Sequence, residues 1–314
     1  MALGAAPRSV VCGCAINPPR ATRARHRRGK GRGLLALSLL AICPLQSGCA
    51  PQSQAEVPQA KVPHSRPTIV SLNPCTDAIL AEVADRSQVL ALSHYSADPR
   101  ASSLDPAVAR RFAFTRGTVE EVLALRPDLV VDGSFIDPAT AAAYRRLGLR
   151  LETFGMAANV PDARAQVLRL AALAGHPERG AALVARIDAA LAEAKPAPGS
   201  PPVATLMWEP GGIVPGDATL IADLMRYAGL ANFAAARGLG QGQQLPLERV
   251  LADPPQLVIT AGADRALAHP VLAYLTGTRR ARFAPGLLYC GGPTIIRAAA
   301  QLAQVRRAYD AGSQ

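Results

Sequence analysis

Two cysteines and a small set of histidines are the residues of this 314-residue chain that invite a chemical reading first. Cys75 and Cys290 each follow a predicted strand, one in each half of the chain, within Asn73-Pro-Cys-Thr-Asp77 and Cys290-Gly-Gly-Pro-Thr294. In an oxidising compartment such a pair forms a disulfide, favoured by the long loop it closes. The alternatives are two thiols offered to a ligand or its metal, and two unrelated half-buried cysteines. The five histidines (His26, His64, His94, His176 and His269) are scattered, with no set at zinc-ligand spacing. No metal site is therefore expected. His94 and Glu209 can be cast as an acid/base pair, but the chain carries no nucleophile elbow, phosphate loop or paired-carboxylate signature. The Gly238–Gly242 run does not follow a strand as a dinucleotide loop must. The expectation is a protein that is not an enzyme and holds no resident cofactor.

The elements that must position these residues are organised around one helix. From Pro177 to Lys195, Leu183, Ile187 and Leu191 recur at fourfold spacing beside Val184, an apolar stripe on a helical period. Pro177 suits the first turn, and the prolines from Pro196 to Pro202 cannot extend the helix. The chain repeats itself on either side. Thr118–Val131 (TVEEVLALRPDLVV) and Pro246–Ile259 (PLERVLADPPQLVI) share seven of fourteen positions without a gap. Each copy reads as a short amphipathic helix, a proline that ends it, and a β-branched run fit for a buried strand.

Strands are expected at Thr68–Leu72, Val89–Ser93, Leu129–Val131, Arg150–Phe154, Val203–Met207, up to Thr260 in the second repeat, and at Leu287–Tyr289. Helices are expected at Ala78–Ala84, Ala141–Leu147, Asp162–Ala174, Leu220–Ala228 and Ile295–Tyr309. This alternation argues for parallel, helix-covered sheets. The fold class is α/β: two Rossmann-like lobes with parallel sheets, joined by one long rigid helix. The domains are expected at 68–175 for the first lobe, 176–196 for the connecting helix and 197–314 for the second lobe. Ligands of such sheets sit at the carboxyl ends of strands.

The formal charge of +11 belongs to the beginning of the chain, because residues 1–48 hold eight basic side chains and no acidic one. The remainder is close to balance, so a nucleic-acid partner is not expected. A basic segment, the apolar core Leu34–Leu45, and Ser47-Gly48 before Cys49 have the parts of an export signal spanning 1–48. The apolar core is too short to span a membrane. Residues 49–67 are proline-rich and polar, a tether.

Ile69-Val-Ser-Leu-Asn-Pro74, the units Glu120–Val131 and Glu248–Thr260, and Gly292-Pro-Thr-Ile-Ile-Arg297 resemble the periplasmic substrate-binding proteins of ABC importers for vitamin B12, ferric siderophores and haem. The vitamin B12-binding members are the most similar, and the resemblance covers about residues 68–308. It implies a receptor that captures a metal chelate (a corrinoid or ferric siderophore, alternatively haem) between the lobes. It also implies a permease and its ATPase as partners, and a monomer in the periplasm. Leu45-Gln-Ser-Gly-Cys49 likewise resembles a lipoprotein signal, with Cys49 the lipidated residue and Gln46 where that signal has an apolar one.

The family's permease-docking glutamates correspond to Glu120 and Glu248, one at the head of each repeat helix. The same residues also fit a plain helix-dipole role, with Thr118 and Glu121 as a capping box. Tyr95, Phe135 and Trp208 fall where relatives place aromatic cleft residues, Phe135 and Trp208 being alternatively core. His94 could ligate haem iron or cobalt, or be a polar cleft residue, and Arg297 either meets an anionic ligand group or merely begins the last helix. A chelatase-like enzyme, given the two-lobed plan, and a structural envelope lipoprotein are the competing readings.

Overall fold

The computed structural model describes residues 66–263 and 269–312. The leader, Cys49, nearly all of the tether, His26, His64 and Asp264 lie outside the described residues.

The first lobe begins with strand β1 (Ile69–Ser71), every residue of it buried. Asn73 then caps helix α1 (Pro74–Val83), its side chain accepting from the Cys75 N–H, with Pro74 in the first turn. There follow β2 (Val89–Ser93), the single turn α2 (Pro106–Ala109), β3 (Phe114–Thr115), α3 (Val119–Leu125), β4 (Leu129–Gly133), α4 (Pro138–Arg146) and β5 (Leu151–Phe154). The five strands form one parallel sheet in the order β3-β2-β1-β4-β5. Helices α5 (Val160–Leu173) and α6 (Pro177–Glu193) come next.

The second lobe contains β6 (Val203–Trp208), β7 (Ile213–Val214), α7 (Leu220–Tyr227), β8 (Leu230–Asn232), β9 (Gln243–Gln244), α8 (Leu247–Ala252), β10 (Leu257–Ala261), β11 (Arg279–Phe283) and α9 (Thr294–Ala311). Its parallel sheet runs β11-β10-β6-β8, and β7 pairs antiparallel with β9 over one end of it. The two sequence repeats become α3–β4 and α8–β10, an interior strand of each sheet with the helix before it. One expected strand is corrected. Leu287–Tyr289 is not a strand: Pro285–Leu287 is a short helical turn, and the last strand is β11, with the sequence Arg-Arg-Ala-Arg-Phe. An edge strand with one face in water tolerates such charges, and they hide it from a reading that looks for apolar runs.

Helix α6 is the connector, and its stripe Leu183, Ile187 and Leu191 is buried as the period requires. It lies against α5 and α1 on one side and α9 and α7 on the other. Contact with α5 is close enough to demand Gly180, where a Cβ would come within 2.5 Å of the Ala171 Cβ. One hydrophobic core runs without interruption from Ile69 and Leu129 through Leu183 and Ile187 to Ile259 and Leu302. The stiffness of the connector therefore comes from packing along its length.

A buried carboxylate beneath the first sheet sets one pH dependence. Asp77 of α1 accepts hydrogen bonds from the Ser93 N–H (3.0 Å) and the Ser96 hydroxyl (2.6 Å), while its Oδ1 has no partner. Burial pushes its pKa up to about 8, against the lowering effect of those hydrogen bonds. The folded chain thus holds this proton across a range in which the unfolded chain has released it. Its contribution is largest in acid and is lost as pH rises towards 8, at up to about 1.4 kcal/mol per pH unit. Urea unfolding followed across that range should show the decline, and Asp77→Asn should flatten it. A slope unchanged in the variant would exonerate Asp77.

Candidate functional site

Between the lobes, at the carboxyl ends of both sheets, lies a largely apolar cavity of about 920 Å³. The first lobe contributes Asn73–Cys75 after β1, Arg100 and Ser103 from the loop after β2, Phe135 after β4 and Met156 after β5. The second contributes Glu209 and Pro210 after β6, the end of β10, and Leu288–Cys290 beyond β11. Such placement follows from parallel topology, which gathers the loops after successive strands at one edge. The volume lies within the range of small-molecule sites.

Cys75 and Cys290 meet in the wall of this cavity as a disulfide, Cα–Cα 4.9 Å, joining the lobes across 215 residues of sequence. Phe135 also lines it, with its side chain 83% exposed and no packing role in the core. Three other expectations are corrected. Trp208 is fully buried: along β6, Val203 and Met207 face the main core, while Leu206 and Trp208 face a second core beneath β7 and β9. There the indole N–H donates to the Leu245 carbonyl at 3.2 Å. Strand alternation, not proximity to a loop, decides its direction. His94 and Tyr95 stack with ring centroids 4.1 Å apart and do not line the cavity. Ser93 caps a short helical turn there, so Ser96 points inward to Asp77 and the two rings point outward. Arg297 does not reach the cavity either. From the first turn of α9 it donates to the Ser103 carbonyl at 2.8 Å, bracing a loop of the other lobe, beside a buried Ser103–Thr294 hydroxyl pair at 2.6 Å.

The residues that sequence reasoning overlooked are Met156 and Tyr289, and the sequence offers Glu209 only as one half of an acid/base pair with His94. Tyr289 donates its hydroxyl to the Glu209 carboxylate across a wall of the cavity. Burial raises the pKa of both groups; the hydrogen bond raises the phenol further and partly restores the carboxylate. The phenol is therefore neutral and donates to the Glu209 carboxyl group. The pattern of an aromatic residue just before a cleft cysteine was the available signal, concealed by assigning Leu287–Tyr289 to a strand.

Glu120 and Glu248 occupy equivalent second positions of α3 and α8, and both are exposed. Among the described residues neither takes part in an ion pair. The capping work in α3 falls to other groups: Thr118 accepts from the Glu121 N–H, and the Glu121 carboxylate bonds the Thr115 hydroxyl and the Arg116 N–H. Glu120 is thus left without a local hydrogen-bonding role, and in α8, where the N-cap residue Pro246 makes no side-chain capping bond, Glu248 likewise has no side-chain hydrogen bond with a described residue.

Solved structures share this fold. The periplasmic heme-binding protein RhuT from Roseiflexus sp. RS-1 matches at 22% identity and TM-score 0.61, covering 79% of this chain and 99% of its own. The periplasmic vitamin B12 binding protein BtuF of Vibrio cholerae matches at 18% identity and TM-score 0.61, over 78% and 98%. A periplasmic heme binding protein from Pseudomonas aeruginosa matches at 20% identity and TM-score 0.58, over 76% and 92%. No curated protein matches the chain. The model of the periplasmic binding protein family matches residues 69–275, the first lobe, the connecting helix and the second lobe through β10, and the chain belongs to that family.

Proposed function

We propose that the protein is the extracytoplasmic receptor of an ABC importer, capturing a metal chelate between its lobes and delivering it to a permease powered by an ATPase. The observation that carries this is the apolar cavity of about 920 Å³ at the strand ends, into which Phe135 projects. Large flat chelates gain from such a surface, because a ring buries area and stacks while a few polar groups fix orientation. Cobalamin, ferric siderophores and haem all suit it, and haem stands level with cobalamin given the proteins of similar fold. The export signal and Cys49 support a periplasmic location, with a lipid anchor part of the same proposal. The chelatase reading is weakened by geometry: Glu209 lines the cavity and His94 does not, so no acid/base pair flanks a common substrate position.

Calorimetric titration of the mature protein with cobalamin, haem and a panel of ferric siderophores tests the proposal. Saturable binding at micromolar or tighter Kd is expected for one class, returned unchanged; silence across all of them would sink it. Phe135→Ala should weaken that binding by about tenfold, the scale of one lost aromatic contact. Since the ring is exposed, thermal stability should stay within about 0.5 kcal/mol of wild type. An unchanged Kd would remove Phe135 from the site.

A further inference from the structure

Beside the main cavity lies a second chamber of about 310 Å³, again between the lobes, walled by Met156 and Ala158 from the first and by Ile213, Leu220 and Ile221 from the second. The two cavities share four residues, Met156, Glu209, Leu288 and Tyr289, so the Glu209–Tyr289 pair stands at the partition between them. Glu209 is only 7% exposed. Among the described residues its carboxylate has one hydrogen-bond donor, the Tyr289 hydroxyl, and no ion-pair partner. Of the arginines lining the main cavity, Arg100 is engaged with Asp98 and Arg282 makes no ion pair with a described residue.

A buried carboxylate with an oxygen left over is expensive to dehydrate unless a donor replaces the water. Because the Tyr289 proton is already committed to Glu209, the phenol too offers only acceptor lone pairs to an incoming group. The partition is accordingly a cluster of acceptors set in apolar walls. A ligand carboxylate entering there would bring its charge and more acceptor lone pairs into a medium of low dielectric where Glu209 and Tyr289 offer it no donor. A carboxamide N–H would instead donate to the Glu209 oxygen that Tyr289 leaves unbonded, and the stem carrying the amide would fill the chamber. An ammonium group would gain the same bond but lose far more hydration on entering apolar walls.

We propose that Glu209, oriented by Tyr289, selects chelates bearing a neutral carboxamide arm over the corresponding carboxylates, and that the 310 Å³ chamber receives that arm. The inference rests on the receptor reading above and adds a specificity rule to it. The test uses matched pairs titrated calorimetrically into the mature protein: haem against its bis-amide, in which both propionates are primary amides, and cobalamin against a monocarboxylate produced by hydrolysis of one side-chain amide. The wild type should bind the amide form at least about tenfold more tightly, since a site built for one hydrogen-bonding pattern rejects the analogue that leaves its buried groups unpaired. Glu209→Gln, close to isosteric, should collapse that ratio towards one. Ala158→Leu, which fills the chamber, should weaken the amide form and leave the acid form nearly unchanged. Binding with equal affinity for acid and amide, or a ratio untouched by Glu209→Gln, overturns the specificity rule while leaving the receptor standing. Absence of binding by both members of both pairs overturns the rule, and the receptor reading falls with it only when the ferric siderophores are silent as well.

Discussion

Breaking the Cys75–Cys290 bond is expected to lower stability by about 3–5 kcal/mol while leaving the native fold in place. The bond closes a loop of 215 residues, so in the chain-entropy view its loss releases an unfolded ensemble far larger than a short-loop disulfide would. The native lobes have other ties that survive: the Ser103–Thr294 hydroxyl pair, Arg297 on the Ser103 carbonyl, the Val160 N–H on Asp223 at 2.8 Å, and the shared core along α6. The effect therefore falls mainly on the unfolded side of the equilibrium. Urea unfolding of the oxidised protein, the reduced protein and the Cys75→Ser/Cys290→Ser variant should show the loss in the last two, with far-ultraviolet circular dichroism unchanged. A loss below about 1 kcal/mol would mean that residual structure in the unfolded chain already keeps the two segments close, or that the bond strains the native lobes. Since the disulfide also forms part of the cavity wall, the same samples should differ in chelate affinity.

The parts of this molecule that were legible in the sequence are those whose signal is periodic or local. The apolar stripe of α6, the proline at its start and the paired α3–β4 and α8–β10 units each announce themselves through spacing, and together they specify two lobes on one helix. Cys75 was legible because it sits just after β1, where parallel topology collects loops, whereas Cys290 reaches the cleft from the segment beyond β11 and not from the end of the strand expected before it. What stayed hidden depends on phase and on tertiary neighbours. Trp208 ends a strand whose residues alternate between two cores, so a shift of one position separates a buried indole from the cavity-lining Glu209 beside it. The arginines of β11 disguise an edge strand, and that misassignment concealed Tyr289 as well. Arg297 shows the converse: its first-turn position was evident, but its partner is a carbonyl 194 residues away, which no local pattern records.

Reversing the charge of both Glu120 and Glu248 is expected to abolish uptake of the chelate while leaving its binding intact. The two residues lie at equivalent positions of the repeat, one on each lobe, exposed and free of ion pairs with the described residues. A carboxylate in the first turn of a helix interacts favourably with the dipole by about 0.3–1 kcal/mol, so Glu→Lys at either site costs little more than that in stability. The effect on docking is of another order. At an interface formed by basic groups of a permease, each reversal replaces an attraction with a repulsion, and paired reversals compound. Charge at a rim acts chiefly on the rate of encounter, which makes the wild-type uptake rate sensitive to ionic strength and the double variant indifferent to it. The measurement is ATP-driven uptake into proteoliposomes holding the permease and ATPase, beside calorimetry on the receptor alone. Single reversals should reduce uptake by more than about tenfold, the double reversal should leave only background, and Kd for the chelate should stay within about twofold. Because both glutamates lie outside the cavity lining, a parallel loss of chelate binding would show that the helices carrying them serve the site, and the docking role would have to be abandoned.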